Sequence, residues 1–279
     1  MKYISNIGFE HVQGYTQYQD GSDYTYLFTH SGGKGYLLTT TGTDDKNTKT
    51  IEMDKDFSHP GGIQAIGKYL LIPCEKDSGS KIYVYDIKEK ELKQPIKFKG
   101  KKNGELKHKS GSLGITDFEI DGTRYYLLLA CAITKDPTKC YCYIAKADDE
   151  ITNVEFSSIG DFILEDTKKD EKKDLECQGI GLVTDGGNGN VYLIALYSQG
   201  KSTYSDYAFL FKITATTSSI ENEEIDYRHF TSKGGLLGTG GTHFRWGAGI
   251  RITPSGRLVL LATSRNIIAG TFLDTNHWI

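Results

Sequence analysis

The feature that most constrains the fold is a short motif that recurs five times along the chain. In each copy, a small residue directly precedes an aromatic or aliphatic residue. The copies read "HVQGY", "HPGGI", "KSGSL", "ECQGI" and "WGAGI", and their small residues are Gly14, Gly62, Ser112, Gly179 and Gly249. Successive small residues lie 48 to 70 positions apart, so the chain is built from repeated structural units.

The sequence that follows each motif also repeats. A turn comes next, and then an apolar run that reads "YTYLFTH", "YLLIPCE", "YYLLLACAI", "VYLIALY" or "LVLLATS". A third apolar run follows in every unit. A fourth, more polar run follows in the first four units, and in the second unit we take it to be "PIKFKG". Short runs rich in Tyr, Ile and Val between turn residues are typical of β-hairpins, so each unit is predicted to hold four strands.

Composition agrees with an all-β chain. The 279 residues include 32 Gly, 18 Tyr and 12 Phe but only 2 Met. Glycine suits tight turns, and aromatic residues favour strands. The net charge of -3 gives no general attraction to nucleic acid, and no apolar run of about 18 residues is present. We therefore expect neither a nucleic-acid partner nor a membrane partner.

Five four-stranded units resemble a β-propeller, and the resemblance covers nearly the whole chain. It implies an all-β, five-bladed β-propeller in a single domain of residues 1–279. The expected blades span approximately 11–56, 57–105, 106–172, 173–232, and 240–279 together with 1–10. A two-sheet sandwich would explain the strand content but not the five repeats.

The N-terminal segment "KYISNIGFE" has no partner in its own unit, and the fifth unit ends without an outer strand. We therefore expect an N-terminal strand to complete the last blade, which would remove its exposed edge. In such a fold, the innermost strands crowd around the axis. The recurring small residues are then interpreted as positions where neighbouring backbones approach closely.

The sequence matches no particular propeller family. It lacks the Gly-His and Trp-Asp marks of WD40 repeats and the paired Gly of kelch repeats. Five-bladed glycosidases resemble it in blade number and use three carboxylates from inner strands. Here, only Glu176 supplies a carboxylate at the aligned inner positions.

The predicted site is a ring of side chains at one mouth of the central channel. Three residues before each shared small residue, the chain carries polar or aromatic groups, and an arginine adjoins the last of them. We expect these residues to bind a ligand: His11, His59, Lys109, Glu176, Arg245 and Trp246.

The chemistry of this ring is left open by the sequence. His11, His59 and Glu176 could hold one divalent metal ion, and Arg245 could clamp an anion. The same residues could instead satisfy backbone groups at strand ends. The sequence identifies no catalytic residue.

Three functions follow from these alternatives. The favoured one is a ligand-binding module with one central asymmetric site, for a glycan or a small polar molecule. The alternative is a metal-assisted hydrolase or lyase that acts on a glycoside or a phosphoester. The third is a protein-interaction scaffold without a pocket.

The remaining expectations concern cysteines and surroundings. We expect five free, buried cysteines, with Cys131 opposite Cys142 in a hairpin, and the alternative there is a cross-strand disulfide or three thiolates at a metal ion. We expect a monomer that is either cytoplasmic or secreted after loss of a signal peptide. Three segments are interpreted as connections exposed to solvent: the basic segment 97–109, the charged segment 165–174, and the glycine-rich segment 234–241, which could close over a site.

Overall fold

The computed structural model describes residues 2–4, 11–32, 34–41, 48–133, 138–164, 175–199, 205–231, 243–266 and 270–277. These residues form 22 β-strands and one short 3₁₀ turn, Lys102–Gly104. Within the same ranges, no helical segment has the length and hydropathy needed to cross a membrane. Segments 165–174 and 234–241 lie outside the described residues.

The first sheet begins the ring of blades. Apart from the N-terminal strand β1 (Lys2–Ile4), blade 1 consists of β2 (His11–Asp20), β3 (Asp23–Gly32), β4 (Lys34–Thr41) and β5 (Lys49–Glu52). In blade 2 the inner strand is divided into two short pieces. Blade 2 consists of β6 (His59–Pro60), β7 (Gln64–Ile66), β8 (Tyr69–Lys76), β9 (Gly79–Asp86) and β10 (Glu91–Lys93).

The remaining three blades are also antiparallel sheets. Blade 3 consists of β12 (Ser112–Ile120), β13 (Thr123–Ala132), β14 (Lys139–Lys146) and β15 (Glu155–Ile163), and β11 (Lys97–Phe98) adds to its outer edge. Blade 4 consists of β16 (Leu175–Thr184), β17 (Val191–Gln199), β18 (Ser205–Ala215) and β19 (Ile220–Thr231). Blade 5 consists of β20 (His243–Ile252), β21 (Leu258–Asn266) and β22 (Gly270–His277).

Two observations confirm the five-bladed β-propeller. The inner strands contact one another in the cyclic order β2, β7, β12, β16, β20 and back to β2. The N-terminal strand β1 pairs with β22, with Tyr3 opposite Phe272, and so becomes the outer strand of blade 5. The predicted closure of the last blade by the N-terminus is therefore confirmed.

The recurring small residues allow the inner strands to touch. A Cβ atom added to Gly14 would lie 2.7 Å from both the Gly61 carbonyl oxygen and the Gly62 Cα atom. The Gly62 N–H donates to the Gly111 carbonyl at 2.9 Å, and the Leu113 N–H donates to the Gly62 carbonyl at 3.2 Å. The expected close approach is confirmed at Gly14, Gly62 and Gly249, whereas a Cβ atom added to Gly179 would lie an ordinary 3.4 Å from Ala248.

One buried glutamine joins three blades at the axis. Gln64 of blade 2 donates from Nε2 to the Leu182 carbonyl of blade 4 at 2.7 Å. Its Oε1 accepts from the N–H groups of Leu182 at 2.9 Å and of Ile115, in blade 3, at 3.0 Å. Gln64 is only 7% exposed, so these bonds replace those that water would otherwise make.

The hydrophobic core is divided among the blade interfaces. Five buried clusters lie between blades 1 and 2, 2 and 3, 3 and 4, 4 and 5, and 5 and 1. In the cluster between blades 5 and 1, for example, Tyr15 and Phe28 pack with Val259 and Leu261. Each blade therefore buries apolar side chains on both faces, as sheets within stacked layers do.

The interpretation of "PIKFKG" as the outer strand of blade 2 is wrong. That position is taken by β10, and Lys97–Phe98 pairs in parallel with β15 of blade 3. The physical reason is the burial of Phe98, which is 2% exposed and lies with its ring centroid 4.7 Å from that of Tyr143. Local strand propensity did not indicate which blade would bury this ring.

The expectation that all five cysteines are free is also wrong. Cys131 and Cys140 lie opposite each other on β13 and β14 and form a disulfide, while Cys74, Cys142 and Cys177 are free and buried. The hairpin register differs by two residues from the one we expected. A shift of two keeps every side chain on the same face, so alternation of apolar residues does not distinguish the two registers.

We expect Gln64→Leu to lower the free energy of unfolding by about 2–4 kcal/mol, because it leaves buried backbone groups of Leu182 and Ile115 without partners. Urea unfolding followed by tryptophan fluorescence measures the change. Gln178→Leu is the matched control, since Gln178 lies on inner strand β16 and, among the described residues, its side chain bonds only to the nearby Glu176 carbonyl at 3.3 Å. An equal loss of free energy of unfolding in both variants would show that the hydrogen bonds of Gln64 contribute no more to stability than that of Gln178.

Candidate functional site

The upper mouth is defined here as the end of the ring at which the inner strands begin. β2 begins with His11, β6 with His59 and β20 with His243, and Lys109 and Glu176 lie at the corresponding ends of blades 3 and 4. Because all five inner strands run away from this end, side chains distant in sequence are gathered around one opening.

Three ionisable side chains meet where blades 2 and 3 adjoin. Glu75 lies directly opposite His59 in the pairing of β8 with β6. The ammonium group of Lys109 is close enough to influence the pKa of both residues. The same ammonium group lies 4.0 Å from the Asp77 carboxylate, which is exposed at the rim. We call His59, Glu75 and Lys109 the acid–base cluster.

Within the acid–base cluster, Glu75 has a raised pKa. Desolvation is the main cause, because it disfavours the charged carboxylate. The positive charge of Lys109 and a hydrogen bond from the backbone N–H of Ser110 oppose the shift without cancelling it. A carboxyl group that keeps its proton closer to neutral pH is suited to donate that proton to a ligand.

The pKa of His59 is shifted in the opposite direction. Its ring is exposed at the mouth, yet desolvation by the surrounding protein lowers the pKa below 6.5, and the charge of Lys109 lowers it further. The neutral imidazole is therefore favoured at pH 7. A neutral imidazole carries one donor nitrogen and one acceptor nitrogen, so it can donate a hydrogen bond to a hydroxyl group or accept one from it.

His108 forms a fixed wall beside this cluster. Its ring stacks on Tyr141 with 3.6 Å between centroids, and its Nε2 lies 2.7 Å from the Tyr143 hydroxyl. Desolvation lowers its pKa, and the backbone hydrogen bond with Lys109 only partly offsets this. The solvated connection expected at 97–109 is therefore packed at both Phe98 and His108.

Sequence reasoning found two members of the acid–base cluster and missed the third. His59 and Lys109 were predicted site residues, and the structure brings them together. Glu75 was missed because it lies at the end of an apolar strand, where it has no motif of its own. Pairing the strand "YLLIPCE" with the segment "HPGG" was the signal that could have found it.

The other predicted site residues lie on the inner strands of other blades. Glu176 is exposed on β16 and lies opposite Ser198, and Arg245 is partly buried on β20. The side chains of His11 and Trp246 lie outside the described residues. The complete ring of six residues therefore stays a prediction.

No group of three or more His, Cys, Asp or Glu side chains within the described ranges is arranged to hold a metal ion. Because the His11 side chain is outside those ranges, the metal site of His11, His59 and Glu176 also stays a prediction.

His243, the first residue of β20, links two blades. Its Nδ1 lies 3.3 Å from the Asp206 Oδ1 and 3.4 Å from the Ser198 hydroxyl. The second oxygen of Asp206 accepts from the Phe244 N–H at 2.9 Å. Both His243 and Asp206 are buried, so this pair fixes the start of β20 against blade 4.

Comparisons with known proteins show the fold. No protein-family model matches the chain, and no curated protein sequence is significantly similar to it. Solved structures do match. One is CoXyl43, a GH43 β-xylosidase/α-arabinofuranosidase from a compost microbial metagenome in complex with xylotriose, with a TM-score of 0.52 and 11% identity over 99% of this chain and 94% of that chain.

Two further structures match over similar lengths. A glycosyl hydrolase from Bacteroides ovatus has a TM-score of 0.51 and 12% identity, over 99% of this chain and 90% of that chain. The GH43_1 enzyme from Xanthomonas citri, complexed with xylotriose, has a TM-score of 0.50 and 10% identity, over 99% of this chain and 89% of that chain. The chain shares the five-bladed β-propeller fold of these enzymes.

We expect the protein to lose stability as the pH falls below 6.5, the usual pKa of histidine. His59 and His108 have lower pKa values when folded, so the unfolded chain binds more protons between the two values. At pH values above the pKa of 6.5 in the unfolded chain, the two histidines make their full contribution to the free energy of unfolding. This contribution is lost as the pH falls through their lower pKa values in the folded protein. Urea unfolding at about pH 7.5 and about pH 5.5 measures this slope.

Glu75 acts with the opposite sign, because its folded pKa lies above its unfolded value of 4.5 and the folded state gains stability as it takes up the proton. The histidine variants are therefore compared in a Glu75→Gln background. In that background, His59→Gln together with His108→Gln should flatten the pH dependence. If the free energy of unfolding still falls with pH as steeply in these variants, the two histidines are not its cause.

Proposed function

We propose that the protein is a carbohydrate-binding β-propeller whose single central site is at the upper mouth. The observation that carries the proposal is the meeting of His59, Glu75 and Lys109 where blades 2 and 3 adjoin. Lys109 donates hydrogen bonds, the Glu75 carboxyl group accepts them when ionised and donates one when protonated, and a neutral His59 both donates and accepts them. Vicinal sugar hydroxyls present the complementary donors and acceptors at similar spacing.

Structural likeness supports a glycan as the class of ligand. Two of the similar structures, CoXyl43 and the Xanthomonas citri enzyme, hold xylotriose. The asymmetry of the blades also supports one site, because only blades 2 and 3 contribute the acid–base cluster. In this proposal, the chain forms one domain and acts as a monomer.

A second candidate function is glycoside hydrolysis, and the raised pKa of Glu75 favours it. Cleavage of a glycosidic bond requires an acid that protonates the leaving oxygen and a second carboxylate that acts as base or nucleophile. Glu75 suits the first role, and the predicted site residue Glu176 is the candidate for the second. The metal-assisted version of this activity would place a divalent ion between His11, His59 and Glu176.

Binding is tested by calorimetric titration of the full chain with xylotriose and with arabinotriose. We expect His59→Ala to weaken the binding of the preferred trisaccharide by about tenfold, because one to two hydrogen bonds are lost. Glu119→Gln is the matched control, since Glu119 is exposed near the far end of inner strand β12. If neither trisaccharide binds the unmodified chain, the binding proposal fails.

Hydrolysis is tested with aryl β-xylosides and aryl α-arabinofuranosides whose leaving groups differ in acidity. Loss of a general acid costs about 10²–10⁴ in rate, so Glu75→Gln should slow the cleavage of poor leaving groups by that factor. Acidic phenols leave without protonation, so those substrates should lose much less. Equal losses of rate for all leaving groups would rule out Glu75 as the general acid. If the chain binds a trisaccharide but cleaves none of these substrates, hydrolysis is excluded and carbohydrate binding is retained as the function.

A further inference from the structure

A second cavity lies at the end of the ring opposite to the upper mouth. Its volume is about 300 Å³, and it is lined by the last residues of inner strands β2, β7 and β20 and by the turns that follow them. We call it the lower cavity. The residues that line it include Gln17, Gln19, Gln64, Arg251, Ile252 and Pro254.

Arg251 is held in one orientation within this cavity. Its Nη1 donates to the Gln19 Oε1 at 3.5 Å, and its guanidinium carbon lies 5.1 Å from the centre of the Tyr24 ring. A guanidinium group over an aromatic ring is stabilised by the charge distribution of that ring. The side chain is therefore preorganised before any ligand binds.

Within the part of the chain that the structure describes, the positive charge of Arg251 has no acid partner. No carboxylate in the described part of the chain lies within 4.0 Å of its guanidinium nitrogens. Its Nε–H is shielded from solvent and has no acceptor among the described residues. Among the described lining residues, none is an aspartate, a glutamate or a lysine. A charged group with an unused buried donor is normally paired in folded proteins.

We propose that the lower cavity binds a small molecule that carries an oxyanion, either a carboxylate or a phosphate group, and that Arg251 pairs with this group. The planar guanidinium fork matches the two oxygens of such groups. Gln17 and Gln19 line the same space with amides that bond to the Tyr15 hydroxyl and the Gly21 carbonyl, and Ala65, Ile252 and Pro254 supply apolar surface for the rest of the molecule.

The wall of the lower cavity is held in place by hydrogen bonds of the Gln64 side chain. The amide of Gln64 makes three hydrogen bonds with the backbone of Leu182 and Ile115, and these bonds hold it in place in the cavity wall. The lower cavity shares no residue with the acid–base cluster. The proposal therefore stands independently of what the upper mouth binds.

The proposal is tested by calorimetric titration of the full chain with two anionic probes, glucuronate and inorganic phosphate, and with glucose as an uncharged control. We expect one anion to bind with a millimolar or lower dissociation constant and glucose not to compete with it. The anion that binds distinguishes a carboxylate ligand from a phosphate ligand. If neither probe binds, the proposal is overturned.

Two variants locate the binding. Arg251→Gln should weaken anion binding at least tenfold. Arg257→Gln is the matched control, because Arg257 is exposed in the turn that joins β20 to β21 and does not line the cavity. A loss in the control as large as in Arg251→Gln would assign the binding to general surface charge and overturn the proposal.

Gln19→Glu tests the same idea without removing the arginine. It places a carboxylate where Gln19 Oε1 now lies 3.5 Å from the guanidinium, so that Arg251 pairs within the chain. We expect at least a tenfold loss of anion affinity together with an unchanged or higher melting temperature. Retained anion affinity in this folded variant would overturn the proposal even if Arg251→Gln failed to fold.

Discussion

The close packing of five inner strands around one axis is the constraint on which the rest of this structure depends. Backbone groups of neighbouring blades bond directly, as between Gly62 and Gly111, and the Gln64 amide joins blades 2, 3 and 4. Such contacts leave no room for a Cβ atom at Gly14.

The two ends differ in chemistry because different residues begin and finish the inner strands. The upper mouth carries groups that exchange protons, and desolvation lowers the pKa of His59 but raises that of Glu75, while the charge of Lys109 lowers both. The lower cavity carries a permanently charged arginine on a neutral, partly apolar surface. A hydroxyl-rich ligand suits the first end, and an oxyanion suits the second.

The fold was largely predictable from sequence, and the site was predictable only in part. Turn residues and apolar runs indicated four-stranded units, and the unpartnered strand at Lys2–Ile4 indicated how the ring closes. Phe98 was assigned to the wrong blade because burial against Tyr143 depends on a neighbour far along the chain. Glu75 and Arg251 were missed because each lies near the end of an otherwise unremarkable strand, where only its neighbours in space give it a role.

The sequence by itself determined the strand pattern, the blade number and the positions where backbones must touch. These features follow from the alternation of apolar and polar residues, from the turn residues and from side-chain size, all of which can be read from residues close together in the chain. Only the tertiary structure decided which hairpin register forms the Cys131–Cys140 disulfide and which charged groups meet at each end of the axis. The physical reason is that a shift of two residues preserves the alternation, and that contacts between blades join residues separated by a whole repeat or more.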